Sequence, residues 1–207
     1  MVLTIAGCSK VKTTSELPIL GNTRIVDKEV DGKIVKDTIY HTIRDFAFED
    51  QDSNLVTNET FKDQVYVADF FFTTCPTICP KMKQQMLRVY DAYKNEPEVA
   101  ILSHTIDPKH DSVAVLKEFA NKLEVETDKW HFVTGQQDSI YDIAETSYMV
   151  VANEDDNAPG GYIHNGAFLL VDQNRRIRGV YDGTVPEQVD ILINDIRRLI
   201  NKNEETN

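Results

Sequence analysis

Two cysteines, Cys75 and Cys79, lie in the run Phe70-Phe71-Phe72-Thr73-Thr74-Cys75-Pro76-Thr77-Ile78-Cys79-Pro80. Three residues separate the thiols, against the two of a thioredoxin redox motif. At i and i+4 on a helical turn, two side chains lie on one face, so the sulfurs are expected close enough to share one metal or to close a disulfide. Soft thiolates favour copper(I), zinc or redox chemistry over calcium or magnesium. Thiols near a helix N-terminus also have a lowered pKa and supply thiolate more readily. The other candidate donors weigh less. His104 falls within an apolar run and His131 follows Trp130, which points to structural roles. His41 ends a hairpin pattern and His110 lies in the loop from Asp107 to Asp111. Met82 and Met86 stand one helical turn apart, a spacing that predicts core packing rather than ligation.

The elements that position the cysteines follow from periodicity. Val65 to Phe72 is apolar except for Asp69 and predicts a central, buried strand. Pro80 fits a first helical turn, and Met82, Met86, Val89, Tyr90 and Tyr93 then recur at helical spacing. Further on, strands are expected at Val99 to Ile106, Trp130 to Thr134 and Tyr148 to Val151. Helices are expected after Asp111 or Ser112 and over Asp138 to Thr146. Asn153 to Gly161 is acidic, ends in Pro159-Gly160-Gly161 and reads as a loop. A hairpin, Ala167 to Val171 with Ile177 to Tyr181, and a helix from Pro186 to Asn201 close the pattern. Upstream, Asp31-Gly32 between Arg24 to Val30 and Lys33 to Tyr40 predicts a two-residue hairpin, followed by a short strand at Asp45 to Phe48. The order describes an α/β fold with a mixed sheet, and a cysteine pair after the first central strand points to the thioredoxin-like architecture with an added N-terminal β-hairpin.

These residues resemble the Sco/SenC family, copper-binding thioredoxin-like proteins of cytochrome c oxidase assembly. The resemblance covers roughly Asp45 to Asn201. It rests on Cys75-Pro76-Thr77-Ile78-Cys79-Pro80, on Ile106-Asp107-Pro108 with Asp111, on Trp130, Phe132, Thr134 and Gly135, and on His164 just before the strand Ala167 to Val171. It implies copper ligands Cys75, Cys79 and His164. Two thiolates and an imidazole suit copper(I) and can also hold copper(II). Closing the same pair to a disulfide would abolish binding, so copper loading and redox state are expected to be coupled. Ile163 stands where the family commonly has Asp, and Asp107 is a candidate neighbour of the site.

The resemblance implies a metallochaperone that delivers copper to oxidase subunit II, or to another copper or thiol protein, or prepares its cysteines. The alternative is a thiol–disulfide oxidoreductase, with Cys75, expected to be the more exposed, attacking and Cys79 resolving. A peroxiredoxin is disfavoured, because Ala68 and Phe72 stand where that family places Pro and Thr.

The chain has 207 residues and a net charge of −12, from 22 basic and 34 acidic residues. Such a surface argues against nucleic-acid binding. With three cysteines a structural disulfide framework is not expected. The third, Cys8, ends Leu3-Thr4-Ile5-Ala6-Gly7-Cys8, which resembles a bacterial lipobox. A lipid at Cys8 would hold the protein at the cell envelope, on the periplasmic side of a membrane. The expected organisation is a signal remnant and tether over 1–20, one thioredoxin-like domain over 21–203, and a polar tail over 204–207. A monomer is expected.

Overall fold

The computed structural model describes residues 16–155, 158–164 and 166–204. Cys8 and the tether up to residue 15 lie outside the described residues. The centre is a seven-stranded mixed sheet. Its strands are β3 (Ala47–Asp50), β4 (Leu55–Thr57), β5 (Val65–Phe71), β6 (Val99–Thr105), β7 (Trp130–Thr134), β10 (Ala167–Val171) and β11 (Ile177–Asp182), in the spatial order β11-β10-β5-β6-β7-β3-β4. Strands β5, β6 and β7 are parallel, and the pairings outside them are antiparallel. Helix α1 (Cys79–Tyr93) connects β5 to β6, and α2 (Val113–Leu123) connects β6 to β7. Helix α3 (Gln137–Thr146) follows β7, and α4 (Pro186–Glu204) ends the chain.

All seven residues of β5 are buried, because both edges are paired and both faces are covered. Val65, Val67 and Phe71 pack with Met82 and Met86 of α1, Leu116 of α2 and Val189, Leu192 and Ile196 of α4. Tyr66, Ala68 and Phe70 face the other way, onto Ile140, Ile143 and Ala144 of α3 and onto Phe48 and Phe61. Each large apolar side chain buried in this way contributes roughly 1.5–3 kcal/mol of transfer free energy. The carboxyl end of β5 thus delivers the cysteine turn to a fixed place at the edge of two cores.

Strands β1 (Arg24–Val30) and β2 (Lys33–Ile39) form the predicted hairpin around Asp31-Gly32. Cross-strand pairs Lys36–Asp27 (2.5 Å) and Lys28–Asp37 (3.6 Å) decorate it, and most of it is exposed. Residues 16–20 are docked on β11. Leu17 joins the core, Leu20 N–H donates to Ile177 O (2.8 Å), and the Arg178 guanidinium donates to Leu17 O (2.5 Å) and Pro18 O (3.0 Å).

Several expectations move. The strand expected at Tyr148 to Val151 does not form. Tyr148 and Val150 are buried, but Met149 takes a left-handed φ of 57°, which breaks the extended run between them. The segment read as a loop connects an unexpected two-stranded ribbon, β8 (Ala152–Glu154) paired with β9 (Tyr162–His164), so among its described residues only the first two, Asn153 and Glu154, are strand. Strand β3 begins at Ala47 rather than Asp45, since Arg175 takes the Asp45 carboxylate and the Asn58 side chain takes the Phe46 N–H. Ser112, not Asp111, caps α2, accepting from Val115 N–H at 3.5 Å.

Candidate metal centre

The cysteines do not sit on one helical turn. Cys79 is the first residue of α1, whereas Cys75 precedes the helix in a turn closed by Cys75 N–H to Phe72 O at 3.3 Å. The turn is held from outside. The buried Asp111 carboxylate accepts from Thr73 N–H (3.0 Å), from the Thr73 hydroxyl and from Thr105 Oγ1 (2.6 Å). This ties the start of the cysteine turn to the end of β6.

Both cysteines are present as thiols, and their side chains hydrogen-bond each other. They are therefore close enough to share one soft ion or to close a disulfide. Their acidities are pushed in opposite directions. Burial works to raise Cys75, but N–H groups of Thr77 and Cys79, the Cys79 thiol and Thr77 Oγ1 at 3.6 Å outweigh it, and its pKa falls below the usual thiol value. Burial dominates at Cys79 and drives its pKa well above that value, against one N–H from Phe72. Cys75 is only 8% exposed as a whole residue, but its sulfur is the less deeply buried of the two, so at the thiol the expectation that Cys75 is the more open holds. Whole-residue exposure ranks Cys79 as the more open, yet Cys79 packs against both apolar cores, and the depth of the sulfur governs its acidity.

Beneath Cys79 lies a carboxyl that the sequence reading passed over. Asp69, on β5, is buried, and burial raises its pKa from 3.8 to about 7 against a hydrogen bond from Ser103. Ser103 Oγ in turn accepts from Trp130 Nε1 at 2.9 Å. Asp69, Ser103, Trp130 and Cys79 line a cavity of about 20 Å³, and the Asp69 charge helps to raise Cys79. The available signal was a lone carboxylate in an otherwise apolar strand.

His164 ends β9, where its backbone pairs with Ala152; its side chain lies outside the described residues. Among the described residues no three His, Cys, Asp or Glu side chains converge as a metal site. The competing histidines have other places. His41 Nε2 bonds Ser147 O (2.7 Å), and His131 Nδ1 bonds the buried Asp50 carboxylate (2.9 Å). His104 is fully buried among Phe46, Phe48, Phe70 and Tyr148, with neither ring nitrogen hydrogen-bonded among the described residues. Burial drives its pKa down from 6.5 to about 3, so it stays neutral. Met82 and Met86 are core residues.

The ribbon that carries His164 rests on the cysteine turn. Tyr162 packs on Phe72 with centroids 5.0 Å apart and hydrogen-bonds Asp107. Gly160 has a φ of 80°, and a Cβ there would come within 3.0 Å of Phe72 and Pro76. Only glycine meets both demands without strain. Tyr162 is a second site neighbour that the sequence reading missed, because its partners lie 55 and 90 residues upstream.

The family described as SCO1/SenC matches residues 36–201. The SCO1 protein homolog of Bacillus subtilis (strain 168) is 32% identical over 168 residues, 80% of this chain and 86% of that protein. The crystal structure of a SCO1/SenC family lipoprotein from Bacillus anthracis superposes with a TM-score of 0.71 at 30% identity, covering 77% of this chain and 95% of that one. BsSco, described as having a disulfide switch and as a member of the Sco family of cytochrome c oxidase assembly proteins, gives 0.67 at 32% identity, over 77% and 93%. Bradyrhizobium japonicum ScoI, solved with copper bound, shares the fold with a TM-score of 0.64 at 23% identity, over 76% and 99%. The thioredoxin-like fold is thereby established, and the chain belongs to the SCO1/SenC family.

Proposed function

We propose that this protein is a copper metallochaperone that holds its cargo through Cys75, Cys79 and His164 and helps to mature the dinuclear copper centre of cytochrome c oxidase subunit II. The observation that carries the reading is the thiol pair, held within mutual hydrogen-bond reach at the start of α1 in a SCO1/SenC chain. Two thiols so placed suit a soft, low-coordinate ion, and an imidazole completes a set that tolerates both copper oxidation states. Cys75, the more acidic thiol, supplies the first thiolate. Cys79 gives up its proton when the cargo binds, which makes uptake pH-dependent. Cargo passes to the acceptor by exchange, one thiolate of this chain replaced by one of the partner. A lipid on Cys8 would hold the domain at the periplasmic face of a membrane; among the described residues no helix is long and apolar enough to cross one.

The test is a copper(I) competition titration of the reduced protein. One tightly held equivalent is expected, lost in Cys75→Ser and in Cys79→Ser, with the copper(II) spectrum altered in His164→Ala. Absence of tight copper(I) binding by the reduced protein would reject the reading.

The split in thiol acidity favours a second use of the same pair. The Cys75 thiolate attacks a partner disulfide and forms a mixed disulfide. Cys79 then loses its proton, attacks Cys75 and releases the partner as a dithiol, the two electrons coming from the Cys75–Cys79 pair. An insulin-reduction assay that is abolished in Cys75→Ser and unchanged in His164→Ala would support this role.

A further inference from the structure

Tyr162 and Glu154 stand opposite each other across the β8–β9 ribbon, and both reach the loop after β6. Glu154 accepts from Lys109 Nζ and from Gln137 Nε2, each at 2.8 Å, on the exposed side. Tyr162 makes the inner tie. Its hydroxyl donates to the buried Asp107 carboxylate, and its ring lies on Phe72, three residues before Cys75. Asp107 is itself fixed, since its own N–H donates to Thr105 Oγ1 (3.1 Å) and its Oδ1 accepts from His110 N–H (3.3 Å). The ribbon has only three residues per strand, and its tip touches the cysteine turn at Gly160. A two-stranded ribbon this short is marginal by itself, so its place depends on these ties. His164 is two residues beyond Tyr162 on β9, and strand alternation puts the two positions on one face.

We propose that Tyr162 is a positioning residue: its hydroxyl on Asp107 and its ring on Phe72 latch the β8–β9 ribbon onto the cysteine turn and thereby set the place of His164 relative to Cys75 and Cys79. The inference rests on the reading of His164 as a ligand, but the latch itself is a property of the metal-free protein.

The experiment pairs two readouts on wild type, Tyr162→Phe and Asp107→Asn. Tyr162→Phe keeps the ring on Phe72 and removes only the hydroxyl. Asp107→Asn keeps an acceptor for that hydroxyl. In metal-free protein, amide hydrogen exchange over 153–155 and 162–164 is expected to rise about tenfold in Tyr162→Phe, the loss of one hydrogen bond to a carboxylate, with β5 unchanged. Asp107→Asn is expected to stay within about threefold of wild type, because an acceptor remains. Release of copper(II) to a chelator is expected to quicken about tenfold in Tyr162→Phe, and that effect is expected to vanish in a His164→Ala background. Unchanged ribbon exchange in Tyr162→Phe would overturn the latch. Faster exchange with unchanged copper(II) release would overturn the positioning role. A wild-type protein that holds no copper would instead reject the proposed function, leaving the latch to stand or fall on the exchange result alone.

Discussion

Replacing Asp69 with Asn should stabilise the protein in alkaline solution and leave it unaffected in acid. In the folded chain burial raises the Asp69 carboxyl from 3.8 to about 7. Between those values the unfolded chain has lost the proton and the folded chain keeps it. Stability therefore falls as pH rises through that window and levels off above about pH 7. The window is about three pH units wide, and each is worth about 1.4 kcal/mol, so the carboxyl costs at most about 4 kcal/mol near pH 8. Asn keeps an oxygen to accept from Ser103 and cannot ionise. With a urea m-value of about 2 kcal/mol/M, the midpoint of Asp69→Asn should rise by up to about 2 M near pH 8. Near pH 3 the two proteins should unfold within about 0.5 M of each other, since Asp69 is then largely protonated in both states. The assay is urea unfolding followed by the fluorescence of Trp130, which contacts the same hydrogen-bonded chain. Equal midpoints near pH 8 would refute the reasoning, since they would mean that the cavity hydrates the ionised carboxylate at no cost.

His104 sets the opposite slope. It stays neutral in the fold down to about pH 3, so stability is lost as pH falls from 6.5. His104→Leu should remove that loss and gain about 2 kcal/mol more near pH 5 than near pH 7.5, measured by the same unfolding curves. Cys75 should react with iodoacetamide along a titration whose midpoint lies below 9.0, while Cys79 in Cys75→Ser should remain slow through pH 9. Mass spectrometry of timed quenches would check both, and an equal midpoint for the two thiols would contradict the acidity split.

Much of the arrangement was legible because its causes are local. The apolar run of β5, the Pro80 start of α1, the Asp31-Gly32 turn and the amphipathic α4 each carry their own periodicity or turn chemistry. Strands of three residues, such as Leu55–Thr57 and Ala152–Glu154, are too short to show a period and form only because a partner strand is near. Tyr148 to Val151 failed in the opposite sense: an apolar run looked like a strand, yet Tyr148 is buried by Tyr66 and Phe70 rather than by a neighbour in a ladder. At the site, the motif identified Cys75 and Cys79 but assumed a helical turn for both, whereas Pro76 and the tie from Thr73 to Asp111 keep Cys75 outside the helix. Asp69 beneath Cys79 and Tyr162 on Phe72 are tertiary contacts, and no spacing along the chain announces them.

The central claim is that one soft ion is held by two sulfurs and one imidazole. Copper K-edge X-ray absorption on the reduced, copper(I)-loaded protein and on His164→Ala tests it most directly. The account predicts two sulfur neighbours and one nitrogen neighbour in the wild type, with the nitrogen lost and both sulfurs kept in the variant. Retention of the nitrogen in His164→Ala, or fewer than two sulfurs in the wild type, would contradict it.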